Sequence, residues 1–250
     1  MIIKKSIIMK KLLLFIALAL PLLALTQPAG RIVYQEKINL HRGLGPDQEE
    51  HKAMIPEWQT SKAVLLYDGE ASLYKGVEED ESEINREEGG AQINIRIQRG
   101  SNALYRHYPG NRQVEVRDFM GKKFLIDTEM ESREWKIMPE QKSIGGDVCQ
   151  KATFTNEEGV EVAAWFAPSI PAPIGPGEFC GLPGAILMVD VDNGRRLYQA
   201  LTVDLNGEAP EIEVPEEGKK ISKEEYDKMV EERMREMGGS GRHGIRIIRQ

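Results

Sequence analysis

The stretch KAVLLYDGEASLYK, residues 62–75, reads as two strands joined by a tight turn. Asp68-Gly69 supplies the turn chemistry, and apolar residues crowd both sides of it. Working outward, the same pattern recurs. Pro109-Gly110-Asn111 separates NALYRHY from QVEVRDF, and Gly121 separates VRDFM from KKFLID. Glu158-Gly159 parts KATFT from VEVAAWF, and Asp192-Asn193-Gly194 parts AILMVDV from RRLYQALTVDL. Between turns the side chains alternate. Val114 and Val116 share one face of QVEVRDF, opposite Glu115 and Arg117; Ile93, Ile95 and Ile97 share one face of QINIRIQ. Period two is the mark of half-buried antiparallel strands. The expected fold is therefore mainly β, an antiparallel meander of roughly ten strands over residues 31–214. No alternating strand–helix units and no internal repeat interrupt it.

Three segments depart from this pattern. EEDESEINREE (78–88) reads as an acidic, solvated loop between strands, and DQEEHKAMIPEW (47–58) as a short helix ended near Pro56. ISKEEYDKMVEERMREMGG (221–239) reads as a helix. Ser222 followed by Glu225 forms a capping box, and Tyr226, Met229, Val230, Arg233 and Met237 recur at helical spacing until Gly238-Gly239. This helix is expected to cover an apolar face of the sheet. IRIIRQ at the end reads as one more strand or a tail. The division is thus a leader over 1–26, a β domain over 27–220, and a helix and tail over 221–250 packed on that same domain.

The leader reading rests on Lys4, Lys5, Lys10 and Lys11 followed by the uncharged run LLLFIALALPLLAL (12–25). That run is short for a membrane span and is interrupted by Pro21, as in a secretory signal peptide. The expected location is periplasmic or secreted, with no integral membrane segment after cleavage near Thr26-Gln27. Formal net charge is −7 and becomes −11 once the four lysines of residues 1–26 are gone. Such an acidic chain disfavours nucleic acid as a partner.

The chain has two cysteines, Cys149 and Cys180. An even count outside the cytoplasm favours a disulfide, the rival being two buried thiols that never meet. Cys180 lies in PSIPAPIGPGEFCGLPGAILMVD, where Pro168, Pro171, Pro173, Pro176 and Pro183 forbid a central strand and dictate an irregular crossover. Within it, Pro183-Gly184 suits the central pair of a type II turn, glycine supplying a positive φ. Gly181 allows close backbone approach, and Leu182 completes the turn sequence Gly181-Leu182-Pro183-Gly184.

IGGDVCQKAT (144–153), VEVAAWFAPSIP (160–171) and IGPGEFCGLPGAIL (174–187) resemble, in order and spacing, the successive blocks of the GLPGLI family of secreted proteins, found mainly in Bacteroidota. Ala185 stands where the family name has leucine. The resemblance implies a secreted or periplasmic β-rich protein, possible association with TonB-dependent outer-membrane transport, and a curved half-barrel sheet clasping a helix. It carries no catalytic residues over, and a fold does not assign a function.

Trp165 and Phe166, with Pro171 and Pro176, are the candidate lining of a ligand groove. His41, His51, His107 and His243 are scattered without metal-ligand spacing, so no metal site and no cofactor is expected. No nucleophile elbow or phosphate loop is present. The leading expectation is a non-enzymatic binding or accessory protein for a small hydrophobic ligand, a peptide or a partner segment. A periplasmic hydrolase using the irregular crossover is one alternative. Soft-metal handling by Met229, Met234, Met237 and His243 is another.

Overall fold

The structure, a computed structural model, describes residues 28–44, 52–77, 84–88, 91–95 and 102–236, with 84–88 and 91–95 described by backbone alone. The leader, residues 47–51 of the expected short helix, residues 78–83 of the acidic segment, Ile97, Met237, His243 and IRIIRQ lie outside these residues.

The strands are β1 (Gly30–Asn39), β2 (Trp58–Tyr67), β3 (Ala71–Gly76), β4 (Ile84–Glu88), β5 (Ala91–Ile95), β6 (Ala103–His107) and β7 (Arg112–Phe119). They continue as β8 (Lys122–Glu129), β9 (Lys136–Ile144), β10 (Asp147–Thr155), β11 (Glu161–Ala167), β12 (Ala185–Val191), β13 (Arg196–Asp204) and β14 (Lys219–Lys220). One helix, α1 (Lys223–Glu236), follows. Twelve strands form one sheet in the order β14-β8-β7-β6-β3-β2-β1-β13-β12-β11-β10-β9, while β4 and β5 pair with each other. All neighbours are antiparallel except β14, which runs parallel to β8. The acidic segment is thus corrected in part: residues 84–88 form a strand.

The five turns read from sequence all join neighbouring antiparallel strands. Backbone strain is relieved there by residues that tolerate it, with Gly69 at φ 105°, Gly159 at φ 78° and Asp192, Asn193 and Gly194 all left-handed.

The sheet is not a simple meander. β1 lies in the middle, and the chain builds one wing from β2 to β8. It then jumps to the opposite edge and returns through β9–β13 to pair with β1. Laid flat, ten strand spacings of about 4.8 Å would part β8 from β9 by about 48 Å. The link from Glu129 to Lys136 is seven steps and reaches about 25 Å at most. The sheet must curl, and the link crosses its inner face, where Trp135 stands edge-on to Phe154 at 4.7 Å. Pro139 is tolerated in β9 because that strand is an edge.

Register defines the two faces. Leu73, Tyr105, Val114 and Val116 share the outer face with Leu125, and Ile212 and Val214 of the returning chain cover them. Residues 205–218 therefore form a strap across the outer face. β14 then docks on the edge of β8, and α1 passes to the inner face, where Tyr226 packs on Phe124 and Ile126. The capping box is formed: Ser222 Oγ accepts from the Glu225 N–H at 3.1 Å, and Glu225 Oε2 accepts from the Ser222 N–H at 3.4 Å.

Candidate functional site

The crossover, residues 168–184, packs into the inner face rather than standing off it. Phe179 and Leu182 are 2% exposed and join Phe166, Ile186 and Tyr198 in one apolar cluster. Its backbone is tied down by Gly181 N–H to Pro173 O (3.0 Å), Ile186 N–H to Ile174 O (2.9 Å) and Ala185 N–H to Ile170 O (3.0 Å). A Cβ on Gly184 would lie 2.3 Å from Ala167 O, and one on Gly175 would lie 2.4 Å from Phe179 O. Gly184 is thus required by close approach, not by the positive φ expected of it. The left-handed glycine of the motif is Gly181, at φ 89°, beside open space. Leu182 is buried, and Pro183 is exposed.

The other candidates separate. Phe166 is buried in the inner cluster, whereas Trp165 is half-buried and carries Lys142 Nζ 4.1 Å above its ring. Burial pulls the Lys142 ammonium below its usual range. Pro171 is exposed and Pro176 buried. Adjacent strand residues point to opposite faces, so Trp165 and Phe166 do not line one groove.

The cysteines are free thiols, which corrects the expected bridge. Cys149 is fully buried and donates to Asp147 O at 3.7 Å, and burial pushes its thiol up to about 11. Cys180 is half-buried, and its carbonyl accepts from the Trp135 indole at 3.0 Å. Met229 joins the apolar contact between α1 and the sheet, which occupies it in packing. Among the described residues no group of three or more His, Cys, Asp or Glu is placed to hold a metal ion. Nor, among them, is any helix long and apolar enough to cross a membrane.

Sequence reasoning missed a polar line across the inner face. Arg106 is 1% exposed, its Nε donating to Gln113 Oε1 at 2.9 Å and its Nη1 to Gly177 O at 2.8 Å. Gln113 donates on to Glu115 at 2.6 Å, and Glu115 accepts from Arg117, whose guanidinium lies 5.5 Å from the Tyr226 ring centroid. The crossover and the helix are thus joined through side chains of β6 and β7. Nearby, Tyr34 donates to Ile186 O at 2.7 Å and Tyr74 to Glu36. Burial holds both phenols well above their ordinary range. The gap bounded by Glu115, Glu131, Arg133, Glu178, Cys180 and Lys223, with Gln113, holds about 10 Å³, room for a single water.

A larger opening lies on the other side, where the strap leaves the outer face. This groove of about 750 Å³ has Val114 and Leu125 as floor and Val214, Pro215 and Glu216 as one wall. Lys220, Ile221, Ser222 and Glu225 form the other, and Arg112 and Asp127 stand at the rim. Arg112 grips Asp127 with two bonds, Nε to Oδ1 at 3.0 Å and Nη2 to Oδ2 at 2.8 Å. Those bonds hold the Asp127 carboxyl below its usual range. An apolar floor with a charged rim of both signs suits an amphipathic ligand better than a lipid chain.

A family described as a protein of unknown function (Porph_ging) matches residues 154–188. That segment runs from β10 through β11 and the crossover into β12. No curated protein matches the chain. A structure of PNGF-II in space group C2 superposes with a TM-score of 0.51 at 11% identity, covering 81% of this chain and 32% of that one. A second, in space group P21, gives 0.49 at 12% identity, covering 81% and 33%. The chain spans about a third of the length of these structures, and at 11% identity the first likeness is one of fold alone.

Proposed function

We propose that this is a non-enzymatic binding or accessory protein, secreted or periplasmic, that holds an amphipathic ligand in the groove beneath the strap. The observation that carries the reading is the contrast between the two sides of the sheet. Beside the crossover, the inner side is packed with Phe166, Phe179, Leu182 and Tyr198. On the outer side lies a 750 Å³ groove with Val114 and Leu125 beneath a charged rim. The GLPGLI-like blocks and the leader support the compartment and a connection with TonB-dependent outer-membrane transport.

Native mass spectrometry of the chain recovered from its own cell envelope tests this. The wild type is expected to carry an added mass that a Glu216→Lys/Lys220→Glu variant loses. A bare mass for both, or an adduct indifferent to the variant, overturns the reading.

A further inference from the structure

The groove contains an open sheet edge. Met130 N–H donates to Asn111 O at 3.1 Å, the bond that flanks a wide, non-hydrogen-bonded pair at Arg112 and Glu129. Alternation then makes Val114–Asp127 and Val116–Leu125 wide pairs too. In such pairs the N–H and C=O groups point away from the partner strand, so those of Leu125, Asp127 and Glu129 point away from β7 and out of the sheet. Leu125 obeys this rule, because its carbonyl accepts from Ile221 N–H at 3.0 Å. The pairing of β14 ends at Lys220 and Leu125. Beyond it, no described backbone bonds the outward groups of Asp127 and Glu129, and Asp127 lines the groove.

We infer that the ligand is an extended, cationic polypeptide segment that adds to the edge of β8 where β14 leaves it; this rests on the groove reading above. Strand addition supplies the missing partners for Asp127 and Glu129, and alternate side chains of the guest fall over the apolar floor. Charge selects the guest. Asp127, Glu216 and Glu225 line the groove against Arg112 and Lys220, Glu129 continues the acidic edge, and the chain as a whole is acidic. Arg112 and Asp127 cancel as a pair, which leaves Glu216 and Glu225 against Lys220 alone in the lining.

The test uses the full chain and a heptapeptide of alternating lysine and valine, with N-methyl groups placed on either the odd or the even residues. One methylated set is expected to weaken binding by about tenfold or more, and the other to leave it unchanged. An acidic analogue should not bind, and the parent peptide should slow amide exchange at Asp127 and Glu129. Equal tolerance of both methylated sets, or unslowed exchange, overturns strand addition while leaving the groove reading to its own mass-spectrometric test. Failure of the parent peptide to bind, binding of the acidic analogue, or pairing of two copies through their β8 edges overturns it as well.

Discussion

Arg106 Nη1 donates to the carbonyl of Gly177 at 2.8 Å, binding β6 to a loop that belongs to the other wing of the sheet. The guanidinium is almost fully buried and reaches Gln113 with its Nε. Replacing it by methionine leaves Gly177 O and Gln113 without their donor. Arg106→Met should destabilise the fold by about 3 kcal/mol, and Arg106→Lys, which cannot span both acceptors, by a large part of that. Chemical denaturation of the purified variants measures this; wild-type midpoints would show that the link is idle.

Gly181 and Gly184 separate two reasons for glycine. Gly181→Ala meets open space but a φ of 89° and should cost about 1–2 kcal/mol. Gly184→Ala places a methyl 2.3 Å from Ala167 O and should be the more damaging, because backbone has to move. Paired thermal melts decide the order, and the reverse order would contradict the packing.

The thiols make a chemical prediction. With both cysteines free, a thiol titration in denaturant without reductant should find two groups, and reductant should leave the melt unchanged. In the native protein Cys149 should react far more slowly than Cys180, because burial raises its pKa to about 11 and disfavours thiolate. The sign of the linked stability follows. The folded state holds the proton more tightly than the unfolded one, so this contribution is complete below about pH 8.5 and is lost as pH rises toward 11.

Ser222→Ala removes half of the reciprocal cap of α1 and should lower stability by about 1 kcal/mol. Tyr226 sits one turn into that helix, against Phe124 and Phe119. Amide exchange at Tyr226, whose N–H donates to Ser222 O at 3.0 Å, should quicken in the variant before the sheet melts; unchanged exchange with an unchanged midpoint would refute the role of the cap.

Hairpins were legible in the sequence because their information is local. Asp68-Gly69 and Asp192-Asn193-Gly194 state both the turn and the reversal, and alternation assigns Val114 and Val116 to a common face. The capping box at Ser222 was equally local. The jump from β8 to β9 was not legible, since residues 130–135 carry no sign of which edge they serve. Nor was the role of Gly184: Pro-Gly suggests a turn from local rules, while the packed Ala167 carbonyl that excludes a side chain belongs to the end of β11, brought alongside by its pairing with β12. Trp165 and Phe166 looked like a pair in one dimension, and the period of two set them on opposite faces. The groove was invisible because the strap crossing 205–218 to Val114 is a tertiary event.

The central position of β1 has a kinetic consequence. Its partner on one side, β13, is made of residues 196–204, so β1 stays half-paired until nearly the whole β domain is free to fold. Contacts this remote in sequence close late, because the intervening loop entropy must be overcome first. Until then an apolar strand bearing Ile32 and Tyr34 stays open to mispairing with other unfolded chains.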